Sequence, residues 1–360
     1  MVLRIELLSN LYRFSRFIIT NIVYFYQKLF LLPKDLEPSV DFGDRALSGL
    51  SYLRRITHDF STPKGYSLEI HDLTFPSPLI GASFKSDTET LDSWLRMGLG
   101  GLIFKTIMRN KRDGNPRPRL KDFTKGSDKG LVNALGLPGP GIDKFVTEIP
   151  TSSLWSHGRP LGISVGGDNF DDYIHIATVM ERVLKNQQSN YFYELNISCP
   201  NTENGRSIGD EPGLLNELIL KLRKEISKVI SIKVSPDTSN RGLDKIAEVC
   251  DSHESLIINA GNTQYKVREE LEFQEKDFPM NGGGISGPLL FTRTLEMVKI
   301  FSNFSTPIMA TGGISNLNHL NALQNAGASL FGMATSLVLD PYCIPRINQR
   351  IRENVYDSVN

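Results

Sequence analysis

The chain has 360 residues, 40% of them hydrophobic, so it can bury the core of one large α/β domain or of two smaller ones. Lys plus Arg and Asp plus Glu both total 40, and this neutral balance gives no reason to expect a nucleic-acid partner. Cys199, Cys250 and Cys343 lie far apart, and neither they nor the six scattered histidines have metal-ligand spacing. The composition therefore argues against a disulfide scaffold or a zinc site, we expect no bound metal, and the cysteine usage fits a reducing compartment.

Residues 1–60 predict a helical extension with a hydrophobic surface. Residues 17–26 are almost wholly apolar and aromatic, Gln27 and Lys28 interrupt the run, and Pro33 ends any helix. A spanning helix needs about 20 apolar residues with few charges, so this shorter, broken run favours an interfacial amphipathic helix. A second helix over residues 45–57 would complete a hairpin, with these side chains on one face: Leu47, Leu50, Leu53 and Ile56.

This extension predicts peripheral attachment to the cytoplasmic side of a membrane. Arg13, Arg16 and Lys28 would reach lipid headgroups. The side chains that would enter the acyl boundary are Phe17, Ile18, Tyr24, Phe25 and Phe30. The alternative is a cytoplasmic protein whose extension packs on its own domain or on the partner in a homodimer. No small-residue cleavage site follows, so we expect no removed secretory signal.

From residue 66 onward, short apolar runs alternate with amphipathic segments. The predicted strands cover residues 78–83, 101–105, 161–165, 191–197, 229–234, 255–260, 307–311 and 329–333. The predicted helices cover residues 88–96, 170–184, 213–229, 242–250, 290–301 and 317–326. Eight strands alternating with helices predict a (β/α)8 TIM barrel over residues 66–360, with a doubly wound sheet as the alternative.

The barrel hypothesis carries a positional test, because active residues of such barrels lie at the C-terminal ends of strands or in the loops after them. The residues of chemical interest meet it. They are Lys105, Ser164, Asn196 to Asn201, Lys233, Asn262, Thr263, Gly312, Gly313, Ala334 and Thr335.

Two glycine-rich segments, residues 282–287 and 311–314, are typical of a phosphate site, since backbone N–H groups approach a phosphate closely where side chains are absent. A tight turn would use the same residues. Lys105 and Lys233 each end an apolar strand, and two buried ammonium groups in one mouth indicate a bound anion unless each reaches solvent or a local carboxylate. Residues 266–279, in contrast, are charge-dense and predict a solvated excursion.

The segment 194–202, Glu-Leu-Asn-Ile-Ser-Cys-Pro-Asn-Thr, ends a strand in a polar cluster. Asn196 and Asn201 flank Cys199, so their amides could hold a flat ligand while the sulfur faces one of its carbons. Residues 200–212 could then close over that ligand. Alone, the pattern equally fits a polar turn with a buried cysteine.

Taken together, these residues resemble the dihydroorotate dehydrogenase family of FMN-dependent barrels over Leu68 to Leu337. The motifs are Phe75-Pro-Ser-Pro, Asp113-Gly-Asn-Pro-Arg-Pro-Arg119, Asn133-Ala-Leu-Gly-Leu-Pro138, Asn196-Ile-Ser-Cys-Pro-Asn-Thr202, Lys233, Asn259-Ala-Gly-Asn-Thr263, Gly283-Gly-Ile-Ser-Gly287 and Gly312-Gly-Ile314.

The resemblance implies oxidation of dihydroorotate to orotate in pyrimidine (UMP) biosynthesis, with Cys199 as the base that takes the C5 proton while hydride passes from C6 to N5 of FMN. The implied substrate ligands are Lys105, Asn133, Asn196, Asn201, Asn262 and Thr263. The implied cofactor contacts are Lys105, Ser164, Asn196, Lys233, Gly287, Gly312, Gly313 and Thr335.

The resemblance leaves two candidate electron acceptors, because the chain shares features with two branches of the family. Cys199 and Lys105 are similar to the cytosolic, fumarate-reducing branch. The N-terminal extension and Lys85 are similar to the membrane-associated, quinone-reducing branch. We expect quinone, with fumarate or another soluble acceptor as the alternative. Rivals of other classes are a non-catalytic flavin-binding membrane barrel and a tRNA uridine reductase, the latter disfavoured by the missing basic appendage.

Overall fold

The computed structural model of the chain describes residues 1–197, 208–209 and 211–359. Cys199 and Asn201 of the predicted site lie outside the described residues. The strands are β1 Leu68–Ile70, β2 Leu73–Phe75, β3 Leu79–Gly81, β4 Gly101–Ile107, β5 Leu120–Lys125, β6 Asp128–Asn133, β7 Leu161–Val165, β8 Tyr191–Asn196, β9 Ile230–Val234, β10 Leu256–Ala260, β11 Gln264–Val267, β12 Gly282–Ser286, β13 Ile308–Thr311 and β14 Leu330–Met333.

Eight parallel strands close into a barrel in the order β10-β13-β14-β3-β4-β7-β8-β9. The predicted TIM barrel is confirmed, and closure excludes the doubly wound sheet. Beyond the N-terminal arm, the α-helices are Thr88–Met97, Ile142–Glu148, Phe170–Leu184, Pro212–Arg223, Asn240–Asp251, Phe291–Phe301, Leu317–Asn325, Thr335–Leu339 and Cys343–Val359. Short 3₁₀ helices cover Ile149–Thr151, Ser153–His157 and Pro288–Leu290.

The barrel interior is apolar at its N-terminal end and polar at its mouth. The hairpin of β1 and β2 closes the apolar end, where it packs on buried strand residues: Ile80, Ile103, Phe192, Ile257, Met309 and Leu330. Side chains two residues further along a strand point the same way, so Glu194 follows Phe192 into the interior and Asn259 follows Ile257. The strand pattern thus puts polar groups directly above an apolar floor.

A second sheet, of order β11-β12-β6-β5, stands beside the barrel mouth with antiparallel pairing. The prediction of a solvated excursion over residues 266–279 is wrong, because this segment begins in β11 and buries Leu271 and Phe278 among apolar neighbours. The glycines 282–284 belong to strand β12 rather than to a loop. Their lack of side chains admits close neighbours, since a Cβ at Gly284 would meet Thr263 Oγ1 at 2.1 Å.

The N-terminal arm consists of helix α1 (Val2–Leu29) and helix α2 (Glu37–Gly49), followed by a 3₁₀ turn (Leu50–Leu53) and a short helix (Arg54–Thr57). The prediction of one continuous apolar face over residues 45–57 is wrong. Since α2 ends at Gly49, Leu47 is buried whereas Leu53 and Ile56 are 40% and 58% exposed.

One face of α1 packs on the barrel. Ser9 Oγ donates to Asp340 at 2.8 Å, and Tyr24 Oη, predicted to face lipid, donates to Asp122 at 3.0 Å. The other face is an exposed apolar stripe of Leu3, Leu7, Leu11, Ile18, Ile22, Phe25 and Leu29. Among the described residues, no helix is both long and apolar enough to cross a bilayer.

Candidate active site

A cavity of about 1460 Å³ lies at the C-terminal mouth of the barrel. The arm covers part of it, because Phe14, Phe17 and Thr20 of α1 line the same cavity as the barrel residues. Sheet strand β6 and the loops after the barrel strands supply the remaining walls. The cavity therefore runs from the inner side of the arm to the polar end of the barrel interior.

Ten of the predicted site residues line this cavity. They are Lys105, Asn133, Asn196, Lys233, Asn262, Thr263, Gly287, Gly312, Gly313 and Thr335. Ser164 is fully buried behind the wall, where its hydroxyl contacts Glu194. The structure thus brings together most of the side chains that the sequence singled out, and the role of each stays a prediction.

Lys105 holds its ammonium in a largely buried position near the mouth. Burial, and then the positive charges of Lys85 and Arg119, lower the pKa of Lys105 to about 8. The backbone N–H of Lys105 donates to the carbonyl of Lys85 at 2.8 Å, so the two lysines are held side by side. An anion bound between them would offset both charges.

Lys85 reaches the N-terminal arm. Its ammonium forms an ion pair with Asp44 of α2, and both side chains are mostly shielded from solvent. Burial raises the pKa of the Asp44 carboxyl, and the nearby Lys85 opposes that effect. Glu37 of α2 also pairs with Arg119, at 3.0 Å. Helix α2 is thus fastened to the barrel by charged contacts at the rim of the cavity.

Lys233 sits over a buried carboxylate. Its ammonium donates to Ser83 Oγ at 2.9 Å and lies 3.9 Å from Oε1 of Glu194, which is fully buried. Ser83 Oγ in turn donates to Glu194 at 2.7 Å. The positive charge of Lys233 is therefore balanced by Glu194 in the barrel interior, and Lys233 itself lines the cavity.

The amide side chains form a connected row. Asn196 Nδ2 donates to Thr106 Oγ1 at 2.9 Å, and Asn262 Nδ2 donates to Asn196 Oδ1 at 3.5 Å. The backbone N–H of Thr263 donates to Asn262 Oδ1 at 2.9 Å. Asparagines offer both donors and acceptors, so this row can match the alternating N–H and C=O edge of a planar cyclic amide.

The opposite side of the cavity fits a phosphorylated group. Gly312 and Gly313 have φ of +138° and +74°, a backbone that other residues rarely adopt, and they carry no side chain of their own that would keep a phosphate from their N–H groups. Thr311 and Ser336 line the cavity, and their buried hydroxyl oxygens have no hydrogen-bond partner among the described residues. The backbone N–H groups of these glycines are donors of the type that a phosphate accepts.

Sequence reasoning missed Glu194, Ser83 and Thr106. From sequence alone, a carboxylate within an apolar strand is interpreted as a surface residue, because the direction of its side chain is not known. The available signal was parity: Glu194 and Asn196 alternate with Leu195, so both had to point to the same side as Phe192.

Three comparisons place the chain among known proteins. The family model described as dihydroorotate dehydrogenase matches residues 66–355. The chain is 30% identical over 266 residues to dihydroorotate dehydrogenase B (NAD(+)), catalytic subunit, of Malacoplasma penetrans strain HF-2, covering 73% of this chain and 82% of that one. It is 29% identical over 290 residues to the protein of the same name from Bacillus mycoides strain KBAB4, covering 79% and 90%.

Among solved structures, the fold is similar to that of the Eimeria tenella DHODH crystallised with ferulenol, with a TM-score of 0.73. The superposition covers 88% of this chain and 92% of the other, at 21% sequence identity. This likeness supports the barrel architecture.

Proposed function

The chain belongs to the dihydroorotate dehydrogenase family, and from that premise we propose that it oxidises dihydroorotate with Cys199 as the base and passes the electrons to a membrane quinone. The family activity is oxidoreduction of dihydroorotate with FMN. The finer assignments, namely the base, the ligands and the acceptor, are our proposal.

The substrate would lie against the amide row. Asn133, Asn196 and Asn262 would hold its ring amides, and Lys105 would offset its carboxylate. Cys199, as thiolate, would take the proton from C5, which leaves the electron pair to form the C5–C6 double bond as hydride departs from C6. Asn201 and Thr263 would complete the substrate contacts.

Bound FMN supplies the acceptor for that hydride and the route by which two electrons leave the site. Lys233 would offset negative charge on the reduced ring. Its neighbours in the cofactor site would be Gly287, Gly312, Gly313 and Thr335, whereas Ser164, buried behind the wall, would act on that site through its hydrogen bonds. The positions of Gly287, Gly312, Gly313 and Thr335 in the cavity lining support this placement.

The observation that carries the quinone assignment is that one cavity joins the arm to the barrel mouth. Phe14 and Phe17 lie at the arm end of the cavity and are more than 60% exposed. An apolar acceptor held in a membrane would enter between these rings, below a helix whose outer face is an apolar stripe.

A second candidate acceptor is NAD⁺, because the relatives from Malacoplasma and Bacillus carry NAD(+) in their names and are catalytic subunits. Fumarate, using the substrate site in alternation, is the third.

The test is steady-state oxidation of dihydroorotate by the full-length protein with a short-chain ubiquinone, fumarate or NAD⁺. We expect the fastest turnover with quinone. The variant Phe17→Arg, at the cavity entrance, should lose quinone turnover but keep reduction of the flavin by dihydroorotate. The control is Phe42→Arg, at another exposed arm phenylalanine that lies outside the cavity, which should leave both unchanged. Quinone turnover that survives Phe17→Arg would refute the proposal that quinone enters beside Phe17. Turnover with NAD⁺ or fumarate but not with quinone would refute quinone as the electron acceptor.

A further inference from the structure

Glu194 has no place in the reaction described above, yet it is the most completely buried charged group beneath the cavity. Its exposed fraction is 0%, and it stands in β8 between the apolar floor of the barrel and the wall residues Asn196 and Lys233. Burying a carboxylate costs several kcal/mol unless hydrogen bonds and a counter-charge compensate it. The groups that compensate the buried charge of Glu194 therefore indicate its role.

Three side chains donate to this carboxylate. Ser83 Oγ and Ser164 Oγ reach Oε1 at 2.7 and 2.9 Å, and Asn259 Nδ2 reaches Oε2 at 2.7 Å. Each bond needs an acceptor on the glutamate side. An ionised carboxylate accepts all three, whereas a protonated acid or an amide would turn one group into a donor.

One relay joins Glu194 to Lys233. An ammonium has only donors, so Ser83 Oγ must accept from Lys233, and its single hydrogen is left for Glu194. The carboxylate lies 3.9 Å from the ammonium as its counter-charge. Glu194 thus determines both the position of the Lys233 ammonium and the net charge beneath the cavity wall.

A second relay joins Glu194 to Asn196. Ser164 gives its hydrogen to Glu194, so it must accept from Thr106 Oγ1, 3.0 Å away. Thr106 then has only a lone pair to offer, and it takes the N–H of Asn196. The reverse amide orientation would reverse both hydroxyls and leave Glu194 without the donor Ser164. The carboxylate therefore sets which end of the Asn196 amide faces Asn262.

We propose that Glu194 is a positioning residue that fixes the Lys233 ammonium and the Asn196 amide orientation through these two relays. The inference rests on the proposed function, since it assigns Lys233 to the flavin and Asn196 to the substrate. Glu194 reaches neither directly, because Ser83, Thr106, Asn196 and Lys233 line the cavity and Glu194 lies behind them.

The test compares Glu194→Gln with Glu181→Gln in the purified holoprotein. Glu181 is a matched control, a buried carboxylate bonded by the hydroxyls of Tyr191 and Tyr193 at 2.9 Å, away from the cavity. Two readouts are measured: the midpoint potential of the bound flavin and the dissociation constant of orotate. Neither depends on turnover.

For Glu194→Gln we expect a more positive flavin potential, because the positive charge of Lys233 is no longer balanced, and orotate binding weaker by about tenfold. Glu181→Gln should change only thermal stability. If Glu194→Gln does not fold, the relays are cut singly. Ser83→Ala should shift the potential, and Ser164→Ala should weaken orotate binding.

The positioning role would be overturned if Glu194→Gln, or both serine variants, kept the flavin potential and the orotate affinity of the wild type. The proposed function would still stand in that case. Wild-type protein that binds no FMN would refute the proposed function instead.

Discussion

Asp44 of the N-terminal arm forms an ion pair with Lys85, whose backbone carbonyl accepts the N–H of Lys105 in the barrel wall. Through Lys85, the arm therefore contacts the candidate anion site, beside the second arm contact of Glu37 with Arg119. A movement of α2 would change the charge around Lys105, and a bound anion would compete with Asp44 for Lys85. The Asp44–Lys85 contact therefore couples the position of the arm to anion binding in the barrel.

The variant Asp44→Asn tests that connection. It leaves the partly buried Lys85 ammonium without its partner, so we expect a loss of roughly 1–3 kcal/mol in the free energy of unfolding. Orotate should bind more tightly at the same time, because Lys85 is released toward the anion. Chemical denaturation and a binding titration measure the two effects.

The control is Glu353→Gln, at the Arg350–Glu353 pair of 2.9 Å, whose partners are 60% and 43% exposed. An exposed pair contributes at most about 1 kcal/mol, and this variant should not alter orotate binding. Equal effects of both variants would argue against the arm contact.

The pH dependence of orotate binding follows from Lys105. Its pKa is lowered to about 8, chiefly by burial and next by Lys85. The carboxylate binds the charged form, so affinity should be constant below pH 8 and fall about tenfold per unit above it. The variant Lys105→Met should bind weakly with no such dependence, whereas Lys144→Met, at an exposed site, should match the wild type. A flat wild-type profile from pH 7 to 10 would contradict the assignment.

The same shift affects stability with a definite sign. Between pH 8 and the ordinary value of 10.5, the unfolded chain holds the Lys105 proton and the folded protein does not. The penalty of burying the charge is therefore largest below pH 8 and disappears as the pH rises through this window. Lys105→Met should stabilise the ligand-free protein at pH 7 and have little effect near pH 10.5, as measured by thermal unfolding.

The exposed stripe of α1 predicts vesicle binding. Leu7→Glu combined with Phe25→Glu places two charges on the apolar face without touching the packed face, so the fold should persist while sedimentation with phosphatidylcholine–phosphatidylglycerol vesicles is lost. Asn186→Glu with Gln187→Glu adds the same charge on the barrel surface and should leave vesicle binding intact. If both variants sedimented equally with the vesicles, the proposal that the stripe of α1 binds membranes would be contradicted.

Much of this architecture was predictable. The barrel strands came within a few residues of their bounds because each is a short apolar run followed by a helix start, as at Leu161–Val165 and Phe170–Leu184. Strands β11 and β12 were not found, because charges and glycines conceal a strand whose partners are distant in sequence.

The site was predictable where residues lie near the C-terminal ends of strands, as Lys105 and Lys233 do. Glu194 was not, since its role depends on Ser83 and Ser164, 111 and 30 residues away. The contact of Asp44 with Lys85 depends likewise on how the arm folds back over the mouth.

The role of Cys199 can be tested by substitution. Cys199→Ala should retain FMN and reduce it about 10²–10⁴-fold more slowly with dihydroorotate, because no base takes the C5 proton. Cys199→Ser should lose less. Rapid reduction in the alanine variant would refute the base assignment.

The most direct measurement is anaerobic mixing of the purified full-length protein with dihydroorotate while the flavin absorbance is recorded. Our account predicts a yellow protein whose flavin absorbance is bleached by dihydroorotate within about one enzyme turnover time. A colourless protein, or a yellow one that dihydroorotate leaves unbleached, would contradict it.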